Sequence, residues 1–259
     1  MLSGPGDGLL TPLIALATLV LAAEPCGLPP LRPGGAPWRT GEVLSFDFDV
    51  MGMVKAGSLS LEVGRPMFDG TQIPLKARVR NTSIFAKVRR IVGGAFSWVD
   101  AKTLLPERYR DEVVEDGVKK ITDSRIRQGS DSVTVDTVLG DAKSSASFER
   151  RAQVLDVLSA AYYLRAAELK PGQEICFDMV ANRRFWRFRG KVAPRQERVE
   201  TAAGPFDTFR IDATVTRADR PNAERPLHIW IASDPHRPLV AAVSEIDLGP
   251  VSASITHGP

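Results

Sequence analysis

The stretch DVLSAAYYLRAAELKPG, residues 156–172, decides the fold. It is the one long helical pattern after the N-terminus, and strand patterns lie on both sides of it. Asp156 reads as an N-cap, its carboxylate placed to accept a hydrogen bond from a free backbone N–H of the first turn. Lys170, Pro171 and Gly172 read as the stop, because proline cannot continue a helix. At about 100° per residue, Val157, Leu158, Ala161, Tyr162, Leu164 and Leu169 form one apolar arc. Ser159, Tyr163, Ala166 and Lys170 lie opposite. Arg165 falls inside the arc, where a guanidinium must be paired or hydrogen-bonded. In one reading it pairs with a carboxylate of the chain: Glu168, Asp47 or Asp49. In the other, Arg165, Tyr162 and Leu158 form a ligand site for a carboxylate or phosphate headgroup.

Strand patterns run outward from this helix. In Val43–Val50, Leu44, Phe46, Phe48 and Val50 alternate with Ser45, Asp47 and Asp49. A turn holding Gly52 and Lys55 leads into a strand at 56–63. Ile73, Leu75, Ala77 and Val79 alternate with Lys76, Arg78 and Arg80, and Pro74 marks a strand start or an edge. Residues 84–94 are irregular, and Gly93-Gly94 reads as a break before a strand at 96–99. Segments 107–114 and 118–124 flank Glu115-Asp116-Gly117, a hairpin signal because glycine takes the positive φ such a turn needs. A strand at 132–139 precedes a polar turn at 140–145. After the helix, strand patterns occupy 174–180, 185–192, 198–201, 208–215, 227–232 and 239–248, with Pro221 and Pro226 bracketing a loop. The expected fold is mainly β: a curved antiparallel sheet, a half-barrel or open barrel, wrapped around one central α-helix.

The N-terminus reads as an export signal. Residues 13–23, LIALATLVLAA, form an apolar run ending in the small residues Ala22 and Ala23. The run is short for a membrane span, which needs roughly 20 apolar residues, and MLSGPGDG before it carries no Lys or Arg. The expected organisation is a signal peptide at 1–23, a Pro/Gly-rich linker at 24–41 and one β-rich domain at 42–259. Hydrophobic content of 43% suffices for a core without metals. The net charge of +3 admits anionic lipid or polysaccharide, and an exported chain is not expected to meet nucleic acid. Cys26 follows Ala23-Glu24-Pro25, which lacks the small residues of a lipobox, so a lipoprotein is not expected. The two cysteines, Cys26 and Cys176, either pair in an oxidising compartment or are unrelated thiols.

The sequence names no catalytic residue, metal ligand or cofactor. The three histidines are His228, His236 and His257, and no HExxH, CxxC, GxSxG or phosphate-binding glycine loop is present. Asp47/Asp49 and Glu112/Glu115/Asp116 read as solvated strand faces. In ANRRFWRFRGKVAPR, residues 181–195, Arg187, Arg189 and Lys191 point one way and Trp186, Phe188 and Val192 the other. This strand is either a solvated basic face, such as a guarded edge, or a contact surface for acidic headgroups or envelope polymer.

Five segments in order carry a family resemblance: GEVLSFDFDVMGMVKAG (41–57), LLPERYRDEV (104–113), DVLSAAYYLRAAELKPG, VETAAGPFDTFRIDATV (199–215) and LHIWIASDPHRPLVAAV (227–243). Together they resemble the secreted bacterial family known as domain of unknown function 3108, over nearly the whole mature chain. The resemblance implies a periplasmic protein similar in layout to lipoprotein carriers, and it supplies no catalytic residue. The expected function is non-enzymatic binding of a lipid-like or other hydrophobic ligand in the concavity of the sheet. A second expectation is a structural or assembly factor acting through the basic strand. The third is hydrolysis of an envelope polymer by paired carboxylates about 5–10 Å apart.

Overall fold

The computed structural model describes residues 26–50, 54–83, 85–87, 90–181, 183–246 and 249–259. The expected leader, Gly52 and Leu248 lie outside these residues. The first half of the chain is a meander of β1 (Val43–Val50), β2 (Val54–Val63), β3 (Gln72–Asn81), β4 (Ile91–Asp100), β5 (Pro106–Glu115), β6 (Val118–Arg125), β7 (Ser132–Leu139) and β8 (Ala142–Glu149). Then come β9 (Val154–Asp156), the helix α1 (Val157–Ala166), β10 (Glu174–Ala181), β11 (Arg184–Val192) and β12 (Glu197–Thr201). The chain finishes with β13 (Gly204–Arg217), β14 (Arg220–Ala232), β15 (Leu239–Ile246) and β16 (Gly249–His257).

All of these strands join one sheet, in the order β8-β7-β6-β5-β4-β3-β2-β1-β16-β15-β14-β13-β11-β10-β9, with β12 hanging on β13. The first and last strands of the chain are therefore neighbours at its middle. The two ends of the path, β8 and β9, are consecutive in sequence and separated only by residues 150–153. Four residues reach at most about 14 Å. Fifteen strands laid flat at about 4.8 Å spacing would put the ends about 67 Å apart. The connectivity thus requires the sheet to bend until its ends meet.

They meet without pairing, so the sheet is not closed. Phe148 of β8 stacks on Phe185 of β11 with ring centroids 5.3 Å apart. Val133 and Val135 of β7 share a buried cluster with Val154 of β9 and Val180 of β10. Gln128 Nε2 donates to the carbonyls of Pro106 and Val154, each at 3.0 Å, satisfying a backbone acceptor at the free end. β9 pairs with β10 in parallel, the one parallel pair among the described strands. Parallel neighbours need a crossover, and α1 is that crossover.

The helix begins where the sequence places it. Asp156 Oδ1 accepts from the N–H groups of Leu158 and Ser159 at 2.9 Å, and Ser159 Oγ receives the Asp156 N–H. It ends at Ala166, short of Pro171-Gly172. Ala167 is extended and bridges to Leu31. The last carbonyls are claimed by other parts of the fold: Ala166 O by the N–H of Arg32, and Arg165 O by the side chain of Arg237. The expected division into an apolar arc and an opposite face also fails. Ser159, Tyr163 and Ala166 are buried, whereas Val157 of the arc is 46% exposed. The reason is the segment expected as a linker. It is docked over the helix, with Tyr163 Oη donating to Pro29 O and Trp38 packed edge-on against Tyr162.

Other departures have local causes. Gly93-Gly94 does not break β4. A Cβ on Gly93 would meet Glu112 O and Val113 Cγ2 at 2.8 Å, so the glycine permits close strand approach. Lys55 lies in β2, not in the turn. Residues 142–145 belong to β8, leaving Gly140-Asp141 as the turn. Pro221 and Pro226 lie inside β14, which continues as the partner of the long β13. β11 is not an edge strand, because it pairs with β10 and β13. β16 was missed: its alternation of Val251, Ala253 and Ile255 is diluted by serines, but it joins the two halves of the sheet.

Candidate functional site

Arg165 is 1% exposed, and each of its nitrogens has a protein partner. Nη1 donates to Glu42 Oε1 at 2.7 Å, Nε to Arg237 O at 2.9 Å and Nη2 to His236 O at 3.1 Å. Its guanidinium also lies 5.2 Å from the Trp38 ring centroid and 5.1 Å from that of Tyr162. The expected carboxylates are engaged elsewhere: Glu168 with Lys170, Asp47 with Lys55. Arg237 returns the contact, its Nε donating to Arg165 O at 2.7 Å. Its own backbone, at a φ of 46°, is held by Asp234 Oδ1, which accepts from the N–H groups of His236 and Arg237. Burial, and then the charges of Arg32 and Arg165, lower the Arg237 pKa to about 10. Tyr162 and Leu158 lie in the same core, 1% and 3% exposed. Sequence reasoning missed Glu42 and Arg237. Glu42 directly precedes β1, and Arg237 hides in the SDPHRP turn.

The basic strand sits differently. On β11, Phe188 and Val192 are buried while Arg189 and Lys191 are exposed, as the alternation predicts. Arg187 is half-buried, 3.9 Å from Asp178, whose carboxylate accepts from the Arg151 N–H at 2.7 Å. Register places Glu174, Lys191, Asp212 and His228 in one row across β10, β11, β13 and β14, with Cys176, Arg189, Thr214 and Pro226 in the next. These rows line a groove of about 470 Å³. Cys26 and Cys176 form a disulfide at its side, with Cα atoms 5.3 Å apart. His228 Nδ1 lies 2.6 Å from Asp212 Oδ1, a contact set by strand register. Cations, carboxylates and an imidazole in one groove suit polar recognition.

The carboxylates singled out in the sequence have local partners. Glu112 pairs with Lys119, Glu115 with Lys120, and Asp116 accepts the Arg90 N–H. Two other carboxylates are more perturbed. Burial raises Asp111 to about 6, offset only in part by the nearby hydroxyls of Thr122 and Tyr109, and leaves its Oδ2 without a hydrogen-bond partner. Burial also raises Asp156 to about 6, against hydrogen bonds led by Ser97, whose Oγ donates at 2.5 Å. Among the described residues no group of three or more His, Cys, Asp or Glu side chains is placed to hold a metal ion. No described helix is long and apolar enough to cross a membrane.

Fold and grooves together define a class: an open, barrel-like antiparallel β protein with one crossover helix and polar grooves along its exposed strand faces. The chain belongs to the DUF3108 family, proteins of unknown function, whose model matches residues 45–256. Its fold is similar to that of a beta-barrel-like protein of domain of unknown function DUF1849 from Brucella abortus. That match has a TM-score of 0.54 at 8% identity, covering 84% of this chain and 96% of the other. A candidate exported protein with a YmcC-like fold from Bacteroides fragilis matches with a TM-score of 0.35 at 11% identity, covering 86% of this chain and 97% of that one. A candidate lipoprotein from Parabacteroides distasonis matches with a TM-score of 0.36 at 9% identity, covering 86% and 98%. No curated protein matches the chain.

Proposed function

We propose that this is an exported, non-enzymatic envelope protein that binds an envelope component through the groove between β10 and β14. The observation that carries this reading is the contrast between its cations. Arg165 is consumed by Glu42 and two carbonyls, whereas Arg189 and Lys191 are exposed beside a groove, with no carboxylate paired to them among the described residues. The disulfide fits an oxidising compartment and fixes one wall of the groove. The test is photo-crosslinking in living cells from a benzophenone amino acid at position 191. A discrete adduct is expected, and Arg189→Glu should remove it. Arg187 should be left intact, because reversing it would set a carboxylate beside the buried Asp178. An adduct pattern unchanged by Arg189→Glu rejects the groove.

A second reading keeps the ligand inside, as a lipid-like molecule between the helix and a sheet wrapped around it. Its support is that Leu158, Tyr162 and Leu164 share one buried cluster with Leu44, Leu75, Phe188, Ile231 and Ile255, from strands in both halves of the sheet. Those same side chains occupy the space a lipid would need. Mass spectrometry of an organic extract of the purified protein decides between the readings: a stoichiometric lipid favours the interior, and its absence the groove.

A further inference from the structure

Two clefts meet at Arg125 and Arg127. One, about 420 Å³, has Trp98 and Phe68 in its wall, with Glu107, whose carboxylate accepts from Gln72 Nε2 at 2.6 Å. The other, about 330 Å³, is lined by the hydroxyl residues Ser130, Ser132 and Thr134 together with Asp136. Both include the same two arginines, which thus join the aromatic residues of one cleft to the hydroxyl residues of the other. We propose that Arg125 and Arg127 bind the phosphate of a phosphate-bearing molecule whose remaining part lies against Trp98 and Phe68.

Neighbouring cations in this region are neutralised and these two are not. Arg108 makes a two-pronged contact with Asp123, Nε at 3.0 Å and Nη2 at 2.5 Å, and leans over the Trp98 ring at 5.3 Å. Arg110 shares Asp123 and Glu112. Arg125 and Arg127 are exposed, and no described carboxylate pairs with either. Register sets Arg125 directly opposite Arg108, whose charge Asp123 already offsets, so Arg125 is the member of this cross-strand pair left to meet an anion.

The site is also held in place. Arg150 Nη1 donates to the Gln128 carbonyl and lies 3.4 Å from those of Arg127 and Ser130, so one half-buried guanidinium braces the turn that carries Arg127. A fixed turn lowers the ordering cost of binding. Paired guanidiniums with hydroxyl donors match the oxygens of a phosphate. Phe68, 71% exposed with a φ of 50°, presents apolar surface at the other end. The same chemistry serves a phospholipid headgroup or a soluble phosphate ester.

The test uses the purified, oxidised protein. Calorimetry with inorganic phosphate and glycerol 3-phosphate covers soluble sources, and co-sedimentation with phosphatidylglycerol against phosphatidylcholine vesicles covers the headgroup. Saturable binding of at least one phosphate probe is expected. Arg125→Gln/Arg127→Gln should weaken it at least tenfold, and Arg78→Gln/Arg80→Gln, the same charge change on β3, less than twofold. Binding of glycerol 3-phosphate assigns a soluble ester; binding confined to phosphatidylglycerol vesicles assigns a headgroup. The site is rejected if no probe binds, if both double variants lose binding equally, or if phosphatidylcholine vesicles bind as well. Circular dichroism confirms folding, and Arg125→Lys/Arg127→Lys, which keeps charge but loses the forked geometry, should bind with intermediate affinity. Arg189→Glu should leave this binding unchanged, which separates it from the groove at β11.

Discussion

At the scale of single residues, burial separates architecture from function. Arg165 and Glu42 are both almost fully enclosed, at 1% and 5% side-chain exposure, so each charge depends on the other. Removing one partner of such a pair typically costs about 3–5 kcal/mol, because the other is left buried and uncompensated. Glu42→Ala should therefore lower stability by about that amount in urea denaturation, while Glu168→Ala should change it by less than about 0.5 kcal/mol. Equal effects would mean that Glu42 does not carry the pair. The buried carboxylates give a second, pH-dependent expectation. Asp111 titrates near 6 in the folded protein, against a reference of 3.8 when unfolded. Between those values the folded state holds more protons than the unfolded state. The stabilisation is thus full below about pH 3.8 and is lost as pH rises through about 6. A shift of this size corresponds to about 3 kcal/mol. Melting should occur at a higher temperature at pH 5 than at pH 7, and Asp111→Asn should reduce that difference, with Asp156, also raised to about 6, supplying the remainder; an unchanged slope would exclude Asp111 as a source.

At the scale of elements, what the sequence showed and hid follows from the range of the interactions. The N-cap at Asp156 is legible because all its helix partners lie within three residues. The hairpin at Asp116-Gly117 is legible for the same reason: both residues take positive φ, 49° and 82°. The helix end is not legible, because Arg32, Leu31 and Arg237 decide it from far away in the chain. Neither is the guanidinium partner, since Glu42 is 123 residues from Arg165. Arg189 and Lys191 were found from alternation alone, but the groove beside them needed the register of four strands. Asp156 also binds Ser97 of β4, so its carboxylate joins helix to sheet. Asp156→Ala removes two backbone contacts and leaves the Ser97 hydroxyl, 0% exposed, without its acceptor. A loss of about 2 kcal/mol or more is expected. Asp156→Asn, which keeps an acceptor, should recover part of it; a loss no larger than that of a surface substitution would show that β9 and β10 position the helix unaided.

At the scale of the whole molecule, one covalent link holds the N-terminal segment onto the sheet. Cys26 and Cys176 are 150 residues apart and tie the segment that covers α1 to β10. In the chain-entropy account, closing a loop of that length restricts the unfolded chain enough to stabilise the fold by about 5 kcal/mol. The noncovalent ties of the segment include backbone hydrogen bonds from Arg32 to Ala166 O, from Glu168 to Pro30 O and from Cys176 to Gly27 O, Tyr163 Oη to Pro29 O, and Trp38 against Tyr162 and Arg165. Without the disulfide these must hold the cover closed over Arg165. Cys26→Ser/Cys176→Ser should therefore melt well below the oxidised native protein. The reduced native protein should match the double variant. Hydrogen exchange separates two consequences of the same loss. Faster exchange at the N–H groups of Arg32, Glu168 and Cys176, with β1–β16 pairing still protected, would show the cover opening locally over an intact sheet. Uniformly faster exchange would show that the link acts on global stability alone. A melting temperature unchanged by either reduction or substitution would mean that the segment is held by its packing and that the disulfide is incidental to the fold.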